Sequence, residues 1–196
     1  QLAGTLSNGT LQVSKLAAQG FGGRFDATAS ASAQGNAVAL KGNGSNIAVL
    51  QLMKQLLDKD LLEGAGNITL DLRSHGGTVG AMKSNLAGSA NLALRDGAVK
   101  GYNLAKALRE AKARFSSKAD AVTNASREEK TDFSELTGSF SIANGVANNQ
   151  DLQAKSPFLR LTGAGNIDIG QSRLDYTARA TVTGEAKGQG GRELAA

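Results

Sequence analysis

Apolar and polar residues alternate along most of this 196-residue chain. In 173–182, every second residue from Leu174 onward is apolar, and the residues between them are polar or charged. The same period of two recurs at 25–33, 67–73, 90–94 and 136–142. Because successive side chains of a strand point to opposite faces, the pattern predicts β-strands with one apolar and one solvated face, as in antiparallel sheets.

Turn signals and a repeat divide these strands. The dipeptides Asn8-Gly9, Asp96-Gly97 and Asn144-Gly145 each lie between alternating runs, where they supply the positive φ angles of tight hairpin turns. The pentapeptide Gly-Ala-Gly-Asn-Ile occurs at 64–68 and again at 163–167, and each copy opens an alternating run. The chain is therefore predicted to be a degenerate array of β-hairpins that offers an extended surface rather than a compact catalytic pocket.

Two segments show helical periodicity instead. The first is predicted to follow the candidate cap Asn46 and to stop at Gly64, with an apolar stripe made of Val49, Leu50, Leu52, Met53, Leu56, Leu57 and Leu61. The second is predicted to start near Asn103, with Leu104, Leu108, Ala111 and Phe115 on one side. The fold class is therefore mainly β: repeated antiparallel β-hairpins form a curved sheet or groove, with two amphipathic helices packed on it or capping it.

The pattern assigns residues 1–184 to one β domain. Within it, a polar stretch at about 116–131 has too little apolar content to pack and is interpreted as a mobile insert. The glycine-rich residues 185–196 are interpreted as a flexible tail. The alternation is already under way at Gln1, so we interpret the chain as a segment and expect any membrane anchor to lie outside it.

Charge is concentrated in the second predicted helix. Its polar side carries Lys106, Arg109, Lys112 and Arg114. Such a basic face is a candidate for contact with an anionic membrane surface or a protein partner, although a solvated helix face is the simpler interpretation. Stacking aromatic residues are not interleaved with these cations, so we do not expect a nucleic-acid partner.

The residue types needed for catalysis do not cluster. The chain has no cysteine, and its one histidine, His75, lies in a predicted loop, so a usual zinc site is not expected. Asp168 and Asp175 could face each other across a hairpin as a carboxylate pair, but both alternate onto the polar side of their strands, where solvation explains them. We predict that the chain is not an enzyme and uses no metal and no cofactor.

Several signatures together resemble one family. They are the Leu-x-Gly at 86–88, the run Asp-Gly-Ala-Val-x-Gly-Tyr-Asn-Leu at 96–104, the basic helix, Thr-Asp-Phe-Ser-x-Leu-Thr-Gly at 131–138, Asn144-Gly145, Ser-Pro-Phe at 156–158 and Gly-x-Gly-x-Ile-Asp at 163–168. This succession, roughly from Leu2 to Val182, is similar to the C-terminal region of AsmA-family proteins.

The resemblance implies a periplasmic segment of a protein that is anchored to the inner membrane through a segment absent from this chain. It further implies that the segment binds or conducts phospholipid between inner and outer membranes and supports outer-membrane homeostasis. The alternative is a structural or docking module that assists outer-membrane protein assembly without lipid in its groove; an adhesin-like or glycan-binding β array is a third hypothesis. Phospholipid and inner- or outer-membrane envelope proteins are the expected partners, and exposed sheet edges predict self-association.

The apolar side of the strands is the candidate lipid-binding surface. It is either a trough that is at least partly open, as the resemblance favours, or a dry core closed by a second sheet or by the helices, because alternation identifies an apolar face without showing what covers it. The residues predicted to contact lipid are Ile68, Leu70, Leu72, Leu92, Leu94, Phe140, Ile142, Ile167, Ile169, Leu174 and Tyr176.

Overall fold

The structure is a computed structural model that describes residues 1–57, 60, 62–100, 130–157 and 159–182. Its strands are β1 (Leu2–Ser7), β2 (Thr10–Gly20), β3 (Gly23–Ser32), β4 (Ala37–Ala48), β5 (Ala65–His75), β6 (Ala87–Lys100), β7 (Lys130–Ala143), β8 (Val146–Lys155), β9 (Leu159–Asp168) and β10 (Arg173–Val182). Helix α1 covers Val49–Leu57, helix α2 covers Val79–Ser84, and a short 3-10 helix covers Gln34–Asn36.

The ten described strands form one open, curved sheet. They pair in sequence order, and each strand is antiparallel to the next, which leaves β1 and β10 as the two edges. This arrangement follows from tight turns between consecutive strands, since antiparallel neighbours need only short connections. The predicted fold class, mainly β with antiparallel hairpins in a curved sheet, is confirmed.

Register places the apolar side chains in rows that cross the sheet. Residues directly opposite each other in an antiparallel pair share one face. One row consists of Val13, Ala29, Leu40, Leu72, Gly88, Ile142, Ala147, Ile167 and Leu174. The next row consists of Leu2, Leu16, Ala27, Gly42, Leu70, Ala90, Phe140, Asn149, Gly165 and Tyr176. We call the side of the sheet that carries these rows the apolar face.

The opposite side of the sheet is the polar face. One of its rows runs from β4 to β10 and consists of Lys41, Asp71, Ser89, Ser141, Asn148, Asn166 and Asp175. Side chains bond directly along this row: Lys41 Nζ lies 3.0 Å from Asp71 Oδ2, and Asn148 Nδ2 donates to Asn166 Oδ1 at 2.8 Å. The polar face therefore gains cross-strand support while remaining in water.

The densest core lies where α1 meets the apolar face. Val49, the first residue of α1, is 6% exposed and packs with Leu94, Phe133, Leu136 and Ala154. The helix thus buries its apolar side on β6, β7 and β8 and covers one end of the face, as predicted for an amphipathic helix beside a sheet.

The predicted bounds of α1 are wrong at both ends. Asn46 is not its cap, because it lies inside β4 with a φ of 54°, where the pairing with β5 shifts register. Its side chain donates to the Gly22 carbonyl at 3.1 Å and so connects the bulge to the turn between β2 and β3. The helix ends at Leu57, well before Gly64, which lies at the entry to β5.

Helix α2 was not predicted and lies at the other end of β5. It is capped by Thr78, whose hydroxyl accepts from the Ala81 N–H at 3.1 Å, and the Ser74 hydroxyl donates to the Met82 carbonyl at 2.5 Å. His75 is the last residue of β5 rather than a loop residue. With six residues, α2 is too short to show helical periodicity.

Two of the three predicted turns are confirmed. Asn8-Gly9 connects β1 to β2 and Asn144-Gly145 connects β7 to β8, each with two positive φ angles. Asp96-Gly97 lies inside β6 instead, where Asp96 has a φ of 49° and the strand continues. The second pentapeptide copy likewise lies at the end of β9 rather than at the start of a strand.

Several predictions fall outside the described residues. They are the second predicted helix with Lys106, Arg109, Lys112 and Arg114, most of the insert at about 116–131, and the tail at 185–196. Lys130 and Thr131, assigned to the end of the insert, belong to β7.

Candidate lipid-binding surface

The structure brings the predicted lipid-contacting residues together on the apolar face, with one exception. Strand register places ten of them there: Ile68, Leu70, Leu72, Leu92, Leu94, Phe140, Ile142, Ile167, Leu174 and Tyr176. Ile169 lies in the turn that follows β9, where its N–H donates to the Gly145 carbonyl at 2.8 Å. The alternating pattern continues through Ile169, but the strand ends at Asp168 because the turn to β10 starts there.

These residues differ in how much surface they leave for a ligand. Leu94 is 1% exposed and Ile142 is 7% exposed, so both belong to the packed interior. Leu174 is 71% exposed on the edge strand β10. The others are half-buried, and of these Ile68 and Leu92 pack against the core beside α1.

The apolar face extends further than the sequence predicted. Leu2 and Leu6 on β1 are 72% and 75% exposed, and Leu11 on β2 and Val38 on β4 are also exposed. Half-buried Leu40 continues the same face on β4. The alternation in these strands was a detectable signal, but small alanine and glycine residues between the larger side chains make it weak.

Within the described ranges, no second sheet lies over the apolar face. The sheet order includes every described strand, and α1 covers only the end next to Leu94 and Leu136. At the opposite end, the turn at Gly145 is bonded to Leu86, which follows α2, at 2.9 Å. Among the described residues, no second sheet and neither helix covers the centre of the face or the β1–β4 side, so the alternative of a core closed by a second sheet does not describe this part of the chain.

Two aromatic rings of the apolar face lie over glycines of the neighbouring strand. A Cβ added to Gly42 would lie 2.8 Å from Phe25 Cζ, and one added to Gly163 would lie 2.7 Å from Tyr176 Cε1. Both distances are shorter than van der Waals contact, so the rings occupy space that any larger residue would need. This packing keeps bulky rings low on the sheet and the apolar face shallow.

The repeated pentapeptide places a glycine where the backbone of the neighbouring strand approaches closely. A Cβ added to Gly66 in the first copy would lie 2.0 Å from the Ala93 carbonyl oxygen, and one added to Gly165 in the second copy would lie 2.3 Å from the Asp175 carbonyl oxygen. The third residue of each copy therefore leaves no room for a side chain.

One polar group interrupts the apolar face. Asn149 on β8 is 0% exposed, its Nδ2 donates to the Ser139 carbonyl and to Asp151 Oδ1, both at 2.8 Å, and its Oδ1 accepts from the Tyr176 hydroxyl. Asp151 also accepts from the Ser139 N–H at 2.8 Å. We call Ser139, Asn149, Asp151 and Tyr176 the polar cluster. Its hydrogen bonds surround the register shift between β7 and β8, so the cluster stabilises a bulge there and gives the buried amide of Asn149 its hydrogen-bond partners.

The cluster alters two pKa values. Hydrogen bonds from Ser139, first from its hydroxyl, lower the pKa of Asp151. Burial raises the pKa of Tyr176, and the negative charge of Asp151 adds to this effect. Asp151 is therefore ionised and Tyr176 neutral at physiological pH, which is the state in which the tyrosine hydroxyl donates to Asn149.

The arrangement of acids differs from the predicted carboxylate pair. Asp168 lies opposite Arg173 and forms an ion pair with it at 3.4 Å, whereas Asp175 lies opposite Asn166. Among the described residues, no group of three or more His, Cys, Asp or Glu side chains is arranged to hold a metal ion. In the same part of the chain, no helix has the length and apolar character to cross a membrane.

Comparison with known proteins gives one match. The model of the AsmA family matches residues 5–152, which is more than half of the chain and includes the sheet from β1 to most of β8. No curated protein and no solved structure matches the chain. On the strength of the family match, this chain belongs to the AsmA family.

Proposed function

We propose that this chain binds phospholipid on its apolar face and conducts it between the inner and outer membranes, as a periplasmic segment of an inner-membrane-anchored protein. Membership of the AsmA family is consistent with lipid transport or envelope biogenesis. The observation that carries the finer proposal is the apolar face itself, which runs from edge to edge of the sheet and whose centre is covered by no strand or helix of the described ranges. No enzymatic step is part of this function.

Hydrocarbon chains suit such a face for a simple physical reason. Each square ångström of apolar surface removed from water contributes about 25 cal/mol of binding free energy. Contact between a lipid's hydrocarbon chain and the exposed leucines of the face removes apolar surface of both from water. Leu2 and Leu6 are exposed by 72% and 75%, so the uncovered part of the sheet holds apolar surface that a lipid would bury. A soluble protein seldom exposes a contiguous apolar patch without using it.

The deciding experiment compares lipid occupancy in two variants of β6. Leu92→Asp places a charge on the apolar face, whereas Asn91→Asp places the same charge on the polar face one residue away. Protein purified from a bacterial envelope is examined by native mass spectrometry with lipid extraction. We expect stoichiometric phospholipid in the wild type and in Asn91→Asp, and about a tenfold loss in Leu92→Asp, since an unpaired carboxylate against hydrocarbon costs more than the 1.4 kcal/mol that corresponds to that factor.

Circular dichroism checks that both variants keep their strand content, and Leu40→Asp repeats the test on β4, away from the core beside α1. Equal lipid occupancy in all folded variants would contradict the proposal, and so would a folded wild-type protein that carries no lipid.

A docking module for envelope proteins is the second candidate. The exposed edge strand β1 favours it, because an unpaired edge can accept a strand from a partner. This function requires that Leu6→Lys abolishes capture of an envelope protein and that Leu92→Asp does not; the opposite result would exclude it.

A further inference from the structure

A small cavity lies on the sheet between β6 and β10, beside the core that α1 covers. Its volume is about 140 Å³, and its walls include Val99, Phe133, Ala154, Leu159, Leu161 and Ala178. Three polar residues, Thr131, Asp132 and Ser156, also border it. The Asp132 side chain is 70% exposed and pairs with Lys130 at 3.4 Å, so its carboxylate is in solvent. The interior of the cavity is therefore mainly hydrocarbon.

The cavity is continuous with the apolar face. In the register of the sheet, Ala154 lies opposite both Leu136 and Leu161, and Leu161 lies opposite Ala180. Two wall residues of the cavity thus belong to a row of the apolar face. A molecule lying on that face can reach the cavity without crossing a polar barrier.

The size and lining of the cavity select a class of ligand. Pockets for whole drug-sized ligands span about 300–1,000 Å³, so this one is too small for them. An apolar cavity of roughly 150 Å³ stays dry and accepts benzene, a molecule of six carbons. Among the described residues, no buried side-chain nitrogen or oxygen lacks a hydrogen-bond partner, so nothing in the walls calls for a polar ligand.

We infer that this cavity takes the terminal carbon atoms of one hydrocarbon chain, whose remaining length lies on the apolar face. The inference rests on the proposed lipid-binding function and adds an orientation to it. The methyl end of the chain points toward the end of the sheet that carries α1, and the headgroup lies away from that end. The cavity then limits how far a hydrocarbon chain can enter, because only the last few carbon atoms of that chain fit.

Lipids that carry a photoreactive diazirine at the last carbon of a chain test this orientation. After irradiation, mass spectrometry of peptides identifies the residues that are labelled. We expect labelling of Phe133, Leu159 and Leu161 by such a phospholipid, and labelling elsewhere on the face when the diazirine is near the carboxyl end. A terminally labelled free fatty acid, used in a second arm, shows whether a single-chain lipid also enters.

The decisive variant is Ala178→Phe, which fills the cavity from its wall. Its matched control is Thr177→Phe, which places the same ring on the adjacent residue of β10 but on the polar face. We expect labelling of Phe133 and Leu161 to fall about tenfold in Ala178→Phe, the factor that corresponds to 1.4 kcal/mol, and to persist in Thr177→Phe. Xenon, followed by the methyl NMR signals of Leu159 and Leu161, supplies a lipid-free readout that the same variant abolishes.

The outcomes separate the two proposals. Two results would overturn the inference that the cavity takes the end of a hydrocarbon chain and would leave the proposed function standing. One is bound lipid that labels the β1–β5 side, and the other is labelling that Ala178→Phe does not change. Failure of xenon to shift the Leu159 and Leu161 signals also overturns that inference. A folded protein that binds neither phospholipid nor fatty acid overturns both.

Discussion

At the scale of single residues, the glycines of this sheet are placed by their neighbours' side chains. Gly42 and Gly163 are not at turns, yet each leaves room for a ring from the adjacent strand, Phe25 in one case and Tyr176 in the other. Glycine weakens a strand because it lacks a side chain to pack, and a ring lying over it restores that packing. The apolar face is thus assembled from pairs of residues rather than from single alternating positions.

Gly163→Ala is expected to destabilise the chain by about 1–3 kcal/mol, the usual effect of overpacking a filled site. The added methyl group would lie 2.7 Å from Tyr176 Cε1 and 3.0 Å from Leu152 Cδ2, so the ring must move and its bond to Asn149 is disturbed. Urea unfolding followed by circular dichroism measures the change. Gly20→Ala is the control, since no other atom lies within 4 Å of an added Cβ there.

A double-mutant cycle tests the cause of this destabilisation. In a Tyr176→Ala background the ring is gone, so Gly163→Ala should cost markedly less than in the wild type. An equal cost in both backgrounds would mean that the glycine is required for its backbone and not for the ring above it.

The stability of the chain is expected to depend on pH through Asp151. Its pKa is lowered from an ordinary value of 3.8 by the hydrogen bonds from Ser139, so its contribution to stability is complete above that value and is lost as the pH falls through the lowered pKa of the folded state. Asp151→Asn should therefore be less stable than the wild type at pH 7, by about 1 kcal/mol because the group is exposed to water.

Denaturant unfolding at pH 7 and at acid pH measures this difference for Asp151→Asn. We expect it to shrink as the pH falls below about 4, where the free carboxyl group also takes up its proton. Asp175→Asn, an exposed change on the polar face of β10, is the matched control. A difference for Asp151→Asn that stays constant down to pH 2 would show that the carboxylate charge contributes nothing.

At the scale of elements, a positive φ angle served two purposes that the sequence does not distinguish. Asn144-Gly145 forms a turn, whereas Asp96-Gly97 lies inside β6, where Asp96 has a positive φ and the pairing with β7 keeps its register, although the two dipeptides carry the same local signal. The difference lies in the next strand: β8 starts at once after Gly145, but Ala98 and Val99 still find partners in Asp132 and Thr131 of β7. Local sequence therefore predicts the backbone angle but not the topology around it.

Substitution of Asp96 tests the left-handed backbone conformation of this residue. Asp96→Val should destabilise the chain by about 1–2 kcal/mol, because a β-branched residue resists the left-handed conformation, and Asp96→Gly should be close to neutral. Ala93→Val, an exposed change in the same strand, controls for strand propensity and is expected to be neutral or mildly stabilising. Thermal unfolding followed by circular dichroism measures all three. Equal stability of Asp96→Val and Asp96→Gly would contradict a left-handed conformation at this residue.

Most of the sheet was predictable, and the failures share a cause. The period of two identified the strands and placed Ile68, Leu92 and Tyr176 on a common face, because side-chain direction in a strand is a local property. The end of the strand before Ile169, the start of α1 and the buried Asn149 were not predictable. Each depends on contacts with residues far along the chain, such as the bond between Asn149 and Tyr176.

At the scale of the whole molecule, the sheet of described strands has two edges, β1 and β10, and they differ in charge. Strand β1 carries no charged side chain and is exposed throughout, with Leu2 and Leu6 on the apolar face. Strand β10 carries Arg173, Asp175 and Arg179. Charged side chains on an edge strand discourage pairing with another chain, so β1 is the edge at which a strand of a partner can pair.

The difference between the edges predicts how the chain associates with itself. Sedimentation velocity over a range of concentrations should show reversible association of the wild-type chain through β1. Leu6→Lys should shift this association to about tenfold higher concentration, because loss of 1.4 kcal/mol of pairing energy corresponds to that factor. Thr177→Lys introduces the same residue at the middle of β10 and should leave association unchanged, since that edge is already protected. Association that responds to Thr177→Lys and not to Leu6→Lys would assign the contact to β10. A wild-type chain that stays monomeric at every concentration would show that an uncharged, exposed edge is not sufficient for pairing.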